Sequence, residues 1–422
     1  MSTPTGLTCL RCQTAYPVGD VVTGCPACRA DGHAVNLRVT YPASALRTVE
    51  ARRGFDPDER GVWRYHALLP VGLEHALWLG EGETPLVHAR TLGELVGLEH
   101  LYLKNETRNP TGSYKDRMAA VVVARAREAG AKTVVIASSG NAGAALAAYA
   151  TVAGLQCVVF TSASAPLAMT AQARALGGKV FALSGSPDRW TIMRAAVERY
   201  GWYCASNYLP TPIGSNPYGV EAYKTLAYEV WEQLGRSTPD VMALPVCYGD
   251  GLAGTARGFA DLQELGFIRQ APRLVAGEVW GPLSRAQAEH LEAPEPIAAS
   301  PTVAISIGGG RSTFQALHAL RQSEGRAVTV TDAELLSWQA ELARREGIYA
   351  EPSSLASVAA LARLRAEDRL RPSAVAVALI TSTGLKDPGA GAAADDVPVI
   401  QPTLDDLGRA LHDVYSTELA AL

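Results

Sequence analysis

The sequence predicts an α/β protein built from parallel strand–helix units. Short apolar runs alternate with longer helix-like segments over 133–205, and the alternation resumes from 241. Two of the runs are followed directly by small, polar or glycine-rich turns, Ser138-Ser139-Gly140-Asn141 and Gly249-Asp250-Gly251-Leu252-Ala253-Gly254. The composition is that of a globular chain, 48% hydrophobic and 19% charged. At 422 residues the chain is too long for one ordinary core, so two or three domains are expected.

The chain opens on a separate unit. Cys9, Cys12, Cys25 and Cys28 follow the pattern Cys-x2-Cys-x12-Cys-x2-Cys, with Gly24 and Pro26 at the second knuckle. Two such knuckles can bring four thiolates around a tetrahedral zinc ion, so residues 1–34 are expected to form a zinc-ribbon-like segment. Four protein ligands leave no open position, which makes the site structural. The alternative is four buried, reduced cysteines. Cys157, Cys204 and Cys247 are scattered, and seven cysteines in all do not make a secreted disulfide framework.

Residues 35–98 are mixed, with a turn at Gly80-Glu81-Gly82-Glu83-Thr84-Pro85-Leu86. The run Asn109-Pro110-Thr111-Gly112-Ser113-Tyr114-Lys115-Asp116-Arg117 then places a lysine at the end of a turn, where a helix begins. Strands are expected at Thr133–Ala137, Cys157–Phe160, Val180–Leu183 and Trp202–Ala205, with helices over 142–153, 166–177 and 188–200 between them. The second series is Val241–Val246, a helix over about 251–265 and Leu274–Val279. Thr331-x-x-Glu334 is a capping box that opens a helix of about four turns. Ser373–Ile380 reads as a late strand, and the Gly/Ala/Asp-rich stretch 389–396 as a surface loop.

Several function classes lose support at this level. The net charge is 38 − 42 = −4, without the basic surplus of a nucleic-acid partner. No apolar run is long enough to span a membrane. Met1-Ser2-Thr3-Pro4-Thr5 lacks the regions of a signal peptide, so a cytoplasmic location is expected.

Four segments carry chemistry. Lys115, held in a pocket, is placed to be a nucleophilic amine toward a carbonyl cofactor. Ser138–Asn141 offers free N–H groups at a helix start, suited to an anion such as a carboxylate. Read alone, it is equally a plain N-cap. Gly249–Gly254 matches Gly-x-Gly-x-x-Gly, and Glu278 ends the next strand where a dinucleotide ribose is read. The same loop serves a single phosphate. Thr381-Ser382-Thr383-Gly384-Leu385-Lys386-Asp387-Pro388 puts hydroxyls at the carboxyl end of a strand, where open α/β sheets bind ligands.

In this order, these segments resemble the threonine synthase family of fold-type II pyridoxal phosphate enzymes, with a tryptophan synthase β-like fold. Gly80–Leu86, Asn216-Pro217 with Lys224-Thr225, and Glu351-Pro352-Ser353-Ser354 add to the resemblance, which runs from about 80 to 388. It implies two open twisted α/β domains, a large one over 35–98 and 209–422 and a smaller one over 99–208. It implies pyridoxal 5′-phosphate as cofactor, a small amino-acid substrate and a homodimer. Lys115 would form the internal aldimine and move the Cα proton. Asn141 would face the 3′-oxygen of the cofactor. Ser138, Ser139, Gly140, Asn141 and Ala142 would hold the substrate carboxylate. Cys247, Tyr248, Gly249, Asp250, Gly251 and Leu252 would cradle the phosphate, and Thr381 would face the pyridine nitrogen. A dinucleotide would give Lys115 no role.

The chain also departs from the resemblance. Where the family binds a substrate phosphate, this sequence has Ala142, Gly214, Gly219 and Gly251, while Cys247, Tyr248 and Asp250 are unusual in the cofactor loop. Ile307-Gly308-Gly309-Gly310-Arg311 replaces an Ile-Gly-Asn-Pro loop, and Arg311 is one candidate to compensate. The expectation is therefore β- or γ-elimination or replacement on a small hydroxy- or O-activated amino acid other than O-phosphohomoserine. The alternatives are a genuine threonine synthase and a non-catalytic cofactor-binding scaffold.

Overall fold

The computed structural model describes residues 4–19, 22–185, 187–209, 211–388 and 398–415. The expected loop at 389–396 lies outside the described residues. Strands β1 (Gly6–Cys9), β2 (Ala15–Tyr16) and β3 (Leu37–Thr40) form a small antiparallel sheet in the order β2-β1-β3. This sheet carries the cysteine knuckles. It docks on the rest of the chain through polar contacts, with the Tyr218 hydroxyl donating to Gly19 O at 2.8 Å and Asn36 Nδ2 donating to Ser215 O at 3.1 Å.

Two open sheets follow. β4 (Leu86–His88) and β5 (His100–Asn105) pair antiparallel at one edge of the larger sheet. β6 (Thr133–Ala137), β7 (Gln156–Ser162), β8 (Lys179–Leu183) and β9 (Tyr203–Cys204) make a parallel sheet ordered β8-β7-β6-β9. β10 (Val241–Pro245), β11 (Arg273–Glu278), β12 (Arg326–Thr329) and β13 (Val375–Ile380) complete the larger sheet, ordered β12-β11-β10-β13-β5-β4. β10 and β13 are near-continuous apolar runs because helices cover both faces of a parallel sheet, leaving no face for water. The α/β class and the strand–helix order thus match the sequence expectation. The helix expected from 331 runs over Asp332–Glu346, with both arms of the Thr331–Glu334 capping box formed.

β5 escaped the sequence reading and falls within 99–208, yet it pairs with β13 in the larger sheet. Its residues Lys104 and Asn105 read as solvent-facing, but both are buried. The helix Lys115–Glu128 is buried along most of its length, with Met118–Ala124 all inside. A helix apolar on all sides must be packed on all sides.

Candidate active site

Four cavity-lining segments follow the carboxyl ends of strands. β5 leads to the Lys115 turn, β6 to Ser138–Ala142, β10 to Cys247–Leu252 and β13 to Thr381. Together they line a cavity of about 220 Å³. Lys115 and the residues expected in the phosphate, carboxylate and pyridine contacts therefore share one space, as open α/β sheets arrange their ligand sites.

The Lys115 turn is fixed by its neighbours in the sequence run. The Asp116 carboxylate accepts from Thr111 N and Thr111 Oγ1, both at 2.9 Å, closing the turn. Asn109 Oδ1 accepts from Gly82 N at 3.1 Å, and Asn109 Nδ2 donates to Glu106 Oε2 at 2.8 Å. Arg117 is fully buried and pairs with two carboxylates, Glu106 Oε2 at 2.7 Å and Glu229 Oε1 at 2.6 Å. Lys104 also reaches Glu229, at 2.6 Å. The turn is stitched to the β13 segment, with Tyr114 N donating to Thr381 O at 2.9 Å and Thr383 N to Gly112 O at 3.0 Å. Polar residues on either side of Lys115 thus hold its backbone and leave its side chain free to reach the cavity.

The Lys115 amine donates to Tyr114 Oη at 3.0 Å and Tyr223 Oη at 3.3 Å. It lies 4.4 Å from the centre of the Tyr114 ring. Burial opposes its charge, but Tyr114, Tyr223 and Asp250 together hold its pKa above the usual lysine value. Tyr223 was missed by the sequence reading. It lies 108 residues from Lys115, so no local pattern could have linked the two.

At the opposite wall, Ser138 Oγ accepts from Gly140 N at 3.3 Å and Gly143 N at 3.1 Å, shaping the start of the helix Asn141–Val152. Asn141 Nδ2 donates to the Glu351 carboxylate at 3.1 Å, and its Oδ1 accepts from Ser382 Oγ at 3.2 Å. Burial pushes the Glu351 carboxyl above the usual range, while its bonds from Asn141 and Ser306 pull it back. The hydroxyls of Thr381 and Ser354 lie 2.9 Å apart.

The loop after β10 fits a phosphate. Gly249 caps the helix Asp250–Glu264 with φ of 84°, a left-handed conformation that glycine adopts without strain. The first N–H groups of a helix have no intrahelical acceptors, and its dipole favours an anion there. Asp250 lines the cavity and would oppose that anion if its carboxylate were unpartnered. Its carboxylate instead accepts from Ser215 N at 3.0 Å, Ser215 Oγ at 2.8 Å and Gln315 Nε2 at 2.6 Å. A side chain at Gly214 would put its Cβ 2.3 Å from Asp250 Oδ1, and one at Gly251 would put it 2.9 Å from the Tyr114 ring. Two of the departures are therefore compensated: Asp250 fills the space beside Gly214, and Tyr114 the space beside Gly251. The amine, the glycine cradle and the hydroxyl pair suit pyridoxal phosphate. Glu278, the residue that suggested a ribose contact, accepts instead from Leu283 N at 3.1 Å and Ser284 N at 2.7 Å. Gly219 packs against Met118 and Val122. Arg311 offers its carbonyl to Cys247 Sγ at 3.8 Å.

Cys9, Cys12, Cys25 and Cys28 bring their four sulfurs within 4.8 Å of one another. The Cys9–Cys28 and Cys12–Cys25 separations are both 3.6 Å. A tetrahedron with Zn–S bonds of about 2.3 Å has edges of about 3.8 Å, so the cluster has the size of a metal site. Among the described residues no helix is long and apolar enough to cross a membrane.

The family model for pyridoxal-phosphate dependent enzymes matches residues 77–382. The threonine synthase of Methanocaldococcus jannaschii is 33% identical over 417 residues, covering 96% of this chain and 99% of that protein. That of Methanosarcina acetivorans is 36% identical over 389 residues, covering 90% and 92%. Among solved structures, maize serine racemase superposes with a TM-score of 0.62 at 20% identity, covering 72% of this chain and 89% of that one. Threonine deaminase isoform 2 from Solanum lycopersicum gives 0.61 at 19% identity, covering 71% and 79%. The fold is therefore that of the fold-type II enzymes, and the chain belongs to the pyridoxal-phosphate-dependent enzyme family, as a lyase/synthase-type enzyme related to the threonine synthases.

Proposed function

We propose that this enzyme carries out β- or γ-elimination or replacement on a small hydroxy- or O-activated amino acid, and that this substrate is not O-phosphohomoserine. The observation that carries the chemistry is the Lys115 amine, half-buried and held by Tyr114 and Tyr223 in the cavity shared with Ser138–Ala142. Bound pyridoxal phosphate would supply a carbonyl for that amine and an electron sink for a Cα carbanion.

The shared cavity supports a set of residue roles. Lys115 holds the cofactor and moves the proton at the substrate Cα. Its proton must leave before the amine can act, and the Tyr114 and Tyr223 oxygens are the hydrogen-bond partners that face it. Ser138, Ser139, Gly140, Asn141 and Ala142 hold the α-carboxylate at a helix start. Cys247–Leu252 take the phosphate. Thr381 would offer the ring nitrogen of a bound cofactor a hydroxyl rather than a carboxylate, and the cofactor would then supply a weaker sink, which suits elimination and replacement more than transamination. Asn141, held by Glu351 and Ser382, would face the 3′-oxygen of a bound cofactor. The four N-terminal cysteines hold a structural zinc ion. The smaller domain is the one built on the four-stranded sheet.

The substrate argument rests on Ala142, Gly214 and Gly251, which line the cavity; Gly219, expected there too, lies against Met118 and Val122 instead. None carries a polar side chain for a second phosphate, and the room beside Gly214 is taken by Asp250. A second reading, threonine synthase itself, is favoured by the names of the relatives. Purified protein should turn O-phosphohomoserine into threonine at a negligible rate, while hydroxy or acylated amino acids change the cofactor absorption and are consumed. Turnover of O-phosphohomoserine at an ordinary enzyme rate would establish the second reading. Lys115→Ala should abolish both the visible absorption of the bound cofactor and turnover; unchanged activity would remove the mechanism.

A further inference from the structure

One cation in the cavity has no role in this scheme. Arg189 is the second residue of the helix Asp188–Tyr200 and lines the same cavity as Lys115. Its guanidinium sits 4.8 Å above the Trp190 ring, which gives it a fixed platform. Its Nη1 reaches Ser139 Oγ only at 3.5 Å, and its Nε is buried with no hydrogen-bond partner. Among the described residues no carboxylate pairs with it.

That is an unusual state for an arginine. The positive end of a helix disfavours a cation in its first turn. Burial also works against the charge, lowering the Arg189 pKa, while Tyr248 and Cys247, which line the same cavity, oppose that shift. The two acids that line the cavity are engaged elsewhere. Asp250 is bound by Ser215 and Gln315, and Glu351 by Asn141 and Ser306. Helix end and guanidinium together leave positive potential open to the cavity.

We propose that Arg189 reads a carboxylate at the far end of the substrate, carried on its side chain or on its leaving group. This rests on the amino-acid reading above and names the substrate class for the same site. One guanidinium balances one negative charge, and its planar fork matches a carboxylate in two parallel bonds. A phosphate dianion would keep a charge unbalanced, because Lys115 is committed to the cofactor. Ser139 belongs to the loop proposed to take the α-carboxylate, and Arg189 lines the cavity from a different helix with Tyr248 in the same lining, so we assign it the other end of the molecule.

The test titrates the cofactor-loaded protein and follows the visible cofactor spectrum. The probes are 3-hydroxyaspartate and O-succinyl-L-homoserine, against the neutral L-serine, L-threonine and L-homoserine and the phosphorylated O-phospho-L-homoserine. At least one acidic probe should bind more tightly than the neutral ones. Arg189→Met should weaken that probe by roughly 10- to 100-fold, the loss expected of a charged hydrogen-bonded pair, with neutral amino acids and the resting spectrum unchanged. Arg189→Lys should recover part of the loss. Equal weakening of acidic and neutral probes would overturn the proposal by placing Arg189 at the α-carboxylate. An Arg189 dependence confined to O-phospho-L-homoserine would overturn the carboxylate assignment. Spectral response to neutral probes alone overturns the proposal and leaves the amino-acid reading standing, whereas no response to any amino acid overturns both.

Discussion

Replacing Arg117 by leucine tests whether the Lys115 turn is held by charge. Arg117 is fully buried and makes close bonds to Glu106 Oε2 at 2.7 Å, Glu106 Oε1 at 2.8 Å and Glu229 Oε1 at 2.6 Å. Lys104 still balances Glu229 in the variant, but Glu106 loses its paired cation and keeps only neutral partners, Thr84 and Asn109. Breaking a buried pair from one side costs about 3–5 kcal/mol, which is roughly a 10²- to 5 × 10³-fold rise in the unfolded fraction. The loss should depend on pH. Burial works against the Glu106 charge, but Arg117 draws its pKa below the usual carboxylate value in the intact protein. Its ionised form therefore stabilises the fold at neutral pH, and that contribution fades as pH falls through the folded pKa. In the variant Lys104 is the remaining cation that favours the Glu106 charge against burial, so Glu106 holds its proton more readily in the folded state and the penalty grows as pH rises above about 4.3. Urea unfolding of both proteins by tryptophan fluorescence, at pH 5.5 and pH 8, should show the larger gap at pH 8. A loss under about 1 kcal/mol, or one equal at both values, would refute the reasoning.

Three further outcomes follow from other sites. Burial pushes the Glu81 carboxyl up to about 7, against its bonds from Leu79 N and Tyr149. A raised carboxyl stabilises the fold below its unfolded pKa and loses that contribution as pH rises through the folded one, so Glu81→Gln should narrow the stability difference between pH 5 and pH 8.5 by up to roughly 3 kcal/mol, read by thermal unfolding. Gly214→Ser places a Cβ 2.2 Å from Gln315 Nε2 and 2.3 Å from Asp250 Oδ1 at a φ of 101°. It should cost about 1–3 kcal/mol and loosen cofactor binding, and Asp250→Gly should return part of that loss, measured as a double-mutant cycle. Cys28→Ser should remove about one zinc equivalent per chain by elemental analysis. It should also weaken cofactor retention, because Asn36 links the cysteine sheet to Ser215 O at 3.1 Å, beside the Asp250 contacts.

Local pattern carried much of this protein. The four-cysteine spacing, the strand–turn–helix alternation, the Thr331 capping box and the helix opening at Lys115 each depend on backbone periodicity or capping within a few residues. That information is written along the chain. The residue types in Asn109–Arg117 also marked the turn, although the reason for Asn109, Asp116 and Arg117 is structural support rather than chemistry.

What the sequence could not hold was the pairing of residues far apart. β5 was missed because Lys104 reads as a surface charge until Glu229, 125 residues away, neutralises it inside the core. Glu278 stood where a ribose contact is expected, and only the fold turned it to the backbone of the next helix. Asp250 looked repulsive beside a phosphate until Ser215 and Gln315 were seen to hold it aside. Arg189 reads as one more polar residue in the first turn of a helix. Its meaning comes from what surrounds it in three dimensions: a cavity, an aromatic platform and, among the described residues, no paired carboxylate. The chain by itself determined the α/β class, the turn that carries Lys115 and the four-cysteine spacing, because those are set by short-range hydrogen bonding and side-chain period. Tertiary structure alone decided which buried charges balance one another and which remain free for a ligand, because Coulomb and desolvation energies depend on distance in space and not along the sequence.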